Sequence, residues 1–380
     1  MAKKNKIRAD FRKNRSVRTR TTDWTRRYQQ HGFEHEATSQ GERISGKGEL
    51  IRRRTIVGNE VDAKETPGLP VLIDVDSSVC RPGRVLSVLG LISMVEDETG
   101  ELYQCATRRL LKTLNTDQRH VVAAGDRVFI RPVPKSAPKE AIIERVEPRR
   151  GCISRAVRGR QQVLVANVDQ LIIVTSTVEP RLKPNLIDRL LVAAEKGRVR
   201  PLICINKIDL VDPASVQALV GVYAQMGYEV LCVSATTGVG IERLQRRLMG
   251  RASVFAGQSG VGKSSLLNAI DPSLQLKVQP VSEENEKGKH TTTTARLIPL
   301  KAGGYVVDTP GVRSFQLWDV VRHEVANFFR DLRPYVSLCR FPDCTHTHED
   351  GCAVKNAVAD GHMDERRYES YCHLFAGDMV

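Results

Sequence analysis

Short apolar runs separated by turn residues fill the stretch from residue 81 to residue 150. Runs of this length, with Gly and acidic residues between them, are typical of β-strands in small barrels. We therefore predict a small β-barrel domain over residues 81–150. The expected strands are Gly83–Val88, Leu91–Val95, Glu101–Cys105, Gly125–Ile130 and Ala141–Val146.

A different pattern covers residues 151–317, where longer apolar strands alternate with helices. Residues 168–174 predict a strand and residues 185–195 a helix. Such alternation predicts an α/β domain with a mostly parallel sheet. The remaining stretch, residues 318–380, is expected to form a separate helical domain.

A glycine-rich loop follows the apolar strand 252–256 and fits the phosphate-binding pattern G-x-x-x-x-G-K-[ST] at every fixed position. Its backbone N–H groups would surround a β-phosphate, Lys263 would meet the β- and γ-phosphates, and Ser264 would bind Mg²⁺. Ser265 continues into a helix, so phosphate would meet a helix N-terminus. The loop is Gly257-Gln258-Ser259-Gly260-Val261-Gly262-Lys263-Ser264.

A guanine-recognition motif follows another apolar strand, at the sheet end where open α/β proteins bind ligands. Its aspartate, Asp209, can accept hydrogen bonds from the guanine N1–H and exocyclic amine, which would select GTP over ATP. Asn206 is expected to contact the base and neighbouring loops, and the stem of Lys207 to pack on the base plane. A second loop after the next strand would bring backbone N–H groups to the guanine carbonyl. The motif is Asn206-Lys207-Ile208-Asp209, and the second loop begins at Ser234-Ala235.

The order of these motifs is unusual, because the guanine motif precedes the phosphate loop. Ordinary P-loop GTPases have the phosphate loop first. Both motifs are present, so we predict a circularly permuted GTPase, in which the domain begins at a different strand than in ordinary P-loop GTPases.

Two further segments would complete the Mg²⁺ site. Asp308, which opens Asp308-Thr309-Pro310-Gly311, would hold Mg²⁺ through water, and the Gly311 amide would sense the γ-phosphate. A threonine of the segment 288–294, either Thr291 or Thr292, would bind Mg²⁺ only when GTP is present. This would make the segment a switch.

Val312 stands where Ras-like GTPases carry the glutamine that orients the attacking water. Intrinsic hydrolysis should therefore be slow, with a substitute supplied from elsewhere. His290 in the switch segment is the candidate, and an ordinary exposed loop histidine is the equal alternative.

Three cysteines and a histidine follow one another near the C-terminus with the spacing Cys-x4-Cys-x-His-x5-Cys. A Cys3His set in a polar loop suits one tetrahedral, structural Zn²⁺. His348 is a rival fourth ligand. The favoured set is Cys339, Cys344, His346 and Cys352.

Charge distinguishes the N-terminal region, residues 1–80. The chain has a net charge of +14, and residues 1–28 hold eleven Lys or Arg against two Asp. A segment of this kind cannot bury a core, so we expect an arm disordered in isolation, followed by a linker. Such charge suits nucleic acid, and a solubilising tail is the alternative.

Composition also bears on location. The chain lacks a run of eighteen apolar residues and an apolar signal core, so we expect a cytoplasmic protein without a membrane partner. Its nine cysteines, an odd number, predict reduced thiols and a metal site rather than a disulfide framework.

Together these features resemble the RsgA (YjeQ) family of circularly permuted GTPases that depend on the small ribosomal subunit. The resemblance rests on the motif order, the phosphate loop, the switch string His290-Thr291-Thr292-Thr293 and the Cys3His spacing. It implies an N-terminal OB barrel, a central GTPase domain that uses GTP, GDP and Mg²⁺, and a C-terminal zinc domain. It also implies late maturation of the small (30S) subunit, contact with its rRNA, and hydrolysis stimulated by the subunit. We expect a monomer.

Two alternatives stay open. One is a GTPase whose RNA or membrane partner is not ribosomal. The other is a GTP-dependent RNA-binding switch with a non-ribosomal partner and little hydrolysis, which Val312 favours.

Overall fold

The computed structural model describes residues 6–12, 44–45, 51–60, 71–113, 121–134, 138–157, 160–278, 295–308 and 322–377, and these divide into two compact units. The first unit contains the barrel, and the second contains the parallel sheet and the C-terminal helices. The domain boundaries expected from the sequence stay predictions.

The strands are β1 (Lys6–Arg12), β2 (Ile44–Ser45), β3 (Ile51–Glu60), β4 (Val71–Ile73), β5 (Arg81–Leu89), β6 (Ile92–Asp97), β7 (Leu102–Thr107), β8 (Arg127–Pro132), β9 (Glu140–Val146), β10 (Cys152–Val157), β11 (Arg160–Ala166), β12 (Gln170–Ser176), β13 (Arg200–Asn206), β14 (Glu229–Cys232), β15 (Ala252–Ala256), β16 (Arg296–Pro299) and β17 (Tyr305–Asp308).

The α-helices are α1 (Arg109–Thr113), α2 (Pro184–Lys196), α3 (Gln217–Gln225), α4 (Ile241–Leu248), α5 (Lys263–Ile270), α6 (Arg333–Val336), α7 (Ala353–Ala359) and α8 (Glu365–Ala376). Shorter 3₁₀ helices cover Ile208–Leu210, Pro213–Val216, Pro272–Leu274 and Arg322–Phe328.

Five strands close the barrel in the order β5-β6-β7-β9-β8, with β8 pairing back to β5. Neighbours are antiparallel except β7 and β9, which run parallel. Alternate residues point inward and form a continuous apolar core that includes Val85, Val95, Ile130 and Ile143. This confirms the predicted OB fold.

Residues 1–80 are expected to form a disordered arm followed by a linker, whereas four strands, β1 to β4, lie in this region. β1 pairs antiparallel with β3, from Lys6 opposite Val57 to Arg12 opposite Ile51, and β2 also pairs with β3. The physical reason lies in Lys6–Arg12, where apolar and polar residues largely alternate with the period of two that favours a strand. The high charge of the region obscures this alternation.

The second unit contains a parallel sheet in the order β14-β13-β12-β15-β17. Every residue of the central strands β12 and β15 is buried, as expected where helices cover both faces. The predicted α/β architecture is confirmed. Parallel pairing brings the carboxyl ends of these strands to one edge.

The C-terminal helices enclose a small core, which includes Phe329, Leu332, Val354 and Tyr371. The predicted helical character of this region is confirmed, although its first helical segment, Arg322–Phe328, is a 3₁₀ helix. Among the described residues, no helix combines the length and apolar character that crossing a membrane requires.

Candidate functional site

The phosphate-binding loop connects β15 to α5, as the sequence predicts. Its first and last glycines, Gly257 and Gly262, are required because neighbouring atoms leave no room for a Cβ. Gly257 has φ +151°, and a Cβ there would lie 2.0 Å from the Val174 carbonyl oxygen. Gly262 has φ +91°, and a Cβ would lie 2.4 Å from Nδ2 of Asn206. Any side chain at either position would therefore displace the strands or the neighbouring loop.

Lys263 begins α5 and turns back over the loop. Its Nζ donates to the carbonyl oxygens of Gly257, at 2.8 Å, and Gln258, at 2.7 Å. The ammonium group is thus held at the mouth of the loop. Ser264 and Ser265 occupy the first turn of α5 and are half-buried, whereas Ser259 is exposed.

Asn206 joins the three candidate loops. It is the last residue of β13 and is 2% exposed. Its Nδ2 donates to the carbonyl oxygen of Val261 in the phosphate loop at 2.8 Å. Its Oδ1 accepts from the backbone N–H of Ala235 at 3.2 Å. One amide therefore holds the guanine motif, the phosphate loop and the second base loop in a common arrangement.

The rest of the guanine motif turns away from the sheet. Lys207 has a left-handed backbone with φ +61°, and the 3₁₀ helix Ile208–Leu210 follows it. Ile208 is buried and anchors this turn, while Asp209 is exposed at the sheet edge. In the second loop, Ser234 is fully buried, and its Oγ accepts from the N–H of Thr237 at 3.1 Å. The predicted base-reading and phosphate loops thus meet at one edge.

Sequence reasoning missed Thr177, which follows β12. Its Oγ1 donates to the carbonyl oxygen of Lys207 at 2.8 Å, and its N–H donates to that of Asn206 at 3.2 Å. Lys207 in turn donates through Nζ to the carbonyl oxygen of Glu179. The loop after β12 therefore holds Lys207 of the guanine motif through both its backbone carbonyl and its side-chain ammonium group. A lone threonine after a strand carries no sequence signal for this role.

Some predicted residues lie outside the described residues, namely His290, Thr291, Thr292 and Gly311. Their roles stay predictions. Asp308 is the last residue of β17, which runs parallel to the strand that precedes the phosphate loop.

The predicted metal ligands converge in the C-terminal helical region. Their sulfur and nitrogen atoms all lie within 4.8 Å of one another. Nδ1 of His346 lies 3.4 Å from Sγ of Cys339 and 3.6 Å from Sγ of Cys352, and these two sulfurs are 3.9 Å apart. Tetrahedral ligands at about 2.0–2.3 Å from Zn²⁺ would be about 3.3–3.8 Å apart, which is close to the measured separations of these donors. The full set is Cys339, Cys344, His346 and Cys352.

The rival histidine does not belong to this cluster, since the side chain of His348 is 81% exposed. His346 is buried, and burial lowers the pKa of its imidazole. A lowered pKa keeps the ring neutral, as a metal ligand must be.

Buried hydrogen bonds shape the loop that carries Cys344 and His346. Tyr371 donates to the carbonyl oxygen of Thr345 at 2.6 Å, and Tyr368 donates to that of His346 at 2.8 Å. Glu349 accepts from the N–H of Thr345 at 2.7 Å. Burial opposes ionisation of Glu349, but hydrogen bonds from the hydroxyl and the backbone N–H of Thr345 lower its pKa overall. Such contacts orient the ligands within the cluster. Sequence reasoning missed all three supporting side chains.

Three basic residues, Arg108, Arg109 and Lys112, follow β7 of the barrel, and Arg108 is engaged within the domain. It forms an ion pair with Glu144 at 3.1 Å and is largely buried. Arg109 is exposed at the start of α1, and Lys112 is half-buried in the same helix.

The permuted order of the loops, the parallel sheet and the closed barrel define the chain as a circularly permuted GTPase with an OB domain. A family model described as RsgA GTPase matches residues 146–318. The Small ribosomal subunit biogenesis GTPase RsgA of Sodalis glossinidius (strain morsitans) is 42% identical over 301 residues, which cover 78% of this chain and 85% of the relative. That of Yersinia enterocolitica is 39% identical over 329 residues, covering 84% and 91%.

Solved structures agree. YjeQ from Thermotoga maritima matches with a TM-score of 0.65 and 38% identity, covering 78% of this chain and 98% of that one. YloQ, a circularly permuted GTPase, matches with a TM-score of 0.62 and 30% identity, covering 80% and 97%. This chain belongs to the RsgA family of GTP-hydrolysing enzymes.

Proposed function

We propose that this protein is a cytoplasmic, monomeric assembly factor that hydrolyses GTP during late maturation of the small (30S) ribosomal subunit, contacts its rRNA and is stimulated by it. The names of its relatives support the ribosomal assignment. The observation that carries the GTP assignment is the convergence of the guanine motif, the second base loop and the phosphate loop through Asn206.

The residues divide into those that select the base and those that hold phosphate. Asp209 is exposed at the sheet edge, where its carboxylate can pair with the guanine edge. The loop after β14 would contact the guanine carbonyl at Ser234 and Ala235, whose N–H groups at present donate to the Val239 carbonyl oxygen and to Oδ1 of Asn206. Lys207 would cover the base plane. These contacts explain a preference for guanine over adenine.

The phosphate loop would surround the β-phosphate with N–H groups, because its glycines leave no side chain in the way. Lys263 would exchange its present carbonyl partners for phosphate oxygens. Ser264, Asp308 and either Thr291 or Thr292 would hold Mg²⁺, which neutralises charge on the phosphates when bound. The Gly311 amide would contact the γ-phosphate, and His290 would orient the attacking water.

The Cys3His cluster would hold one structural Zn²⁺. All four donors are protein side chains, so the site has no open position for substrate. The ion would stabilise the C-terminal helical region, because ligands that converge only in the folded chain make metal binding part of folding.

Turnover of GTP measured with and without purified small subunits tests the ribosomal proposal. We expect strong stimulation that weakens at high salt, since contacts between basic residues and rRNA release counterions. Turnover that small subunits leave unchanged would contradict the proposal. RNA binding without turnover would favour the alternative of a GTP-dependent RNA-binding switch.

A further inference from the structure

Helix α2 presents two different faces. One face is apolar and buried in the GTPase domain, and it includes Ile187, Leu190 and Leu191. The second face follows the spacing Asn185, Asp188, Val192, Glu195, and every one of these residues contacts the C-terminal helical region. A helix surrounded in this way cannot move independently of either partner.

Arg367 of α8 is the centre of this contact. Its side chain is 3% exposed and donates to Asp188 at 2.6 Å, and that carboxylate is 1% exposed. The same guanidinium makes two bonds to Asp331, at 3.0 and 2.9 Å, and lies 4.5 Å above the ring of Phe329. Burial disfavours the guanidinium, but the two carboxylates raise the pKa of Arg367, so it stays charged.

Other contacts fix the two ends of α2. Ser370 donates to Oδ1 of Asn185 at 2.9 Å near the helix start. Arg330 and Arg333 donate to Glu195 at 2.7 and 2.9 Å near its end. The helix is therefore held along its whole length by the C-terminal region.

The loop before α2 reaches the guanine motif. It begins at Thr177, whose hydroxyl holds the Lys207 carbonyl at 2.8 Å, and it supplies the Glu179 carbonyl to the Lys207 ammonium. Lys207 has a left-handed backbone, which costs a residue with a side chain about 1–2 kcal/mol and must be held by its neighbours. The position of α2 therefore bears on the conformation that aims Asp209.

We propose that α2 links the C-terminal region to the guanine motif, with Arg367 and Thr177 as the positioning residues at the two ends of this link. The proposal rests on the proposed guanine site. Neither residue contacts nucleotide in this arrangement. Each acts on guanine affinity through Lys207, so their effects belong to one chain of contacts and should not add.

The experiment is a double-mutant cycle on the affinity of the full chain for fluorescent GDP. Thr177→Val, which loses the hydroxyl donor, should raise the Kd about three- to tenfold, the scale of one hydrogen bond. Thr177→Ser should restore affinity. Arg367→Gln should raise the Kd by a similar factor, and the double variant should bind about as well as Thr177→Val alone.

Arg366→Gln is the matched control, because this neighbouring side chain is 47% exposed and pairs with Asp364. It should bind GDP as wild type does. Metal content and thermal unfolding would show whether each variant is folded. If Arg367→Gln does not fold, Ser370→Ala takes its place in the cycle.

Wild-type GDP affinity in a folded Arg367→Gln or Ser370→Ala variant would overturn the proposal, as would fully additive losses in the double variant. A parallel titration of Asp209→Asn with xanthosine diphosphate distinguishes a failure of the link through α2 from a failure of the guanine site. If that variant gains xanthosine binding while the cycle shows no coupling, the guanine site stands and the link is wrong. If Asp209→Asn keeps its guanine preference, the guanine site itself is wrong.

Discussion

Replacing Asn206 by alanine should weaken guanine-nucleotide binding more than any other single amide change at the site. The side chain joins three loops, donating to the Val261 carbonyl at 2.8 Å and accepting from the Ala235 N–H at 3.2 Å. It is 2% exposed, so water cannot simply replace it. The Asn206→Ala variant would leave both backbone groups without their present partner.

The size of the effect follows from those two bonds. A buried polar group that loses its partner costs about 1–3 kcal/mol. If about 2–3 kcal/mol of the combined loss falls on nucleotide binding, the Kd for GDP should rise about 30- to 150-fold. The remainder should appear as a lower melting temperature without nucleotide.

Asn206→Asp provides a matched comparison of nearly identical shape. Its carboxylate could still accept from Ala235, but its other oxygen would face the Val261 carbonyl oxygen across the present 2.8 Å contact. Two acceptors at that distance repel, so the Asn206→Asp variant should bind GDP no more tightly than the Asn206→Ala variant. Titration with fluorescent GDP and a thermal melt measure both effects. A Kd of the alanine variant within about threefold of wild type, a difference of less than 1 kcal/mol, would contradict this role for Asn206.

Further predictions concern individual groups. Asp209→Asn should lower GTP affinity and admit xanthosine triphosphate, because the amide reverses one hydrogen bond to the base; competition between the two nucleotides measures this. Lys263→Ala should reduce GTP turnover at least about 100-fold, the scale for losing one preorganised charge donor, and near-normal single-turnover rates would argue against the phosphate loop. Wild-type protein should carry one zinc per chain by elemental analysis, and Cys352→Ala should lose it and unfold the C-terminal region. His290→Ala should bind GTP normally but lose most of the rate stimulated by small subunits, and full stimulation would remove the histidine from the mechanism.

The phosphate loop and the guanine motif could be predicted from the sequence because their chemistry is local. Each is a few consecutive residues at a strand end, and parallel pairing brings strand ends to one edge. The same holds for the Cys3His cluster, whose four donors lie within one short stretch. The barrel could also be predicted from the sequence, since its strands are short and separated by clear turns.

The supporting contacts could not be predicted, because they join residues far apart in the chain. Thr177 and Lys207 are thirty positions apart, and Asp188 and Arg367 are separated by 179. Asp188 and Glu195 also have the composition of a solvated helix face. Only the packed C-terminal region shows that this face is buried.

Circular permutation and the small size of the C-terminal region together explain why this region packs against α2. The chain leaves the parallel sheet after β17, so the region that follows starts near the predicted Mg²⁺ ligand Asp308 in sequence. Domains below about 70 residues rarely hold a sufficient core alone and commonly rely on metal or on a neighbour. This region has a candidate metal cluster and shares its core with Val192 of α2. Because α2 leads into β13, which ends at Asn206, stability that the region gains by docking also constrains the strand that carries guanine recognition.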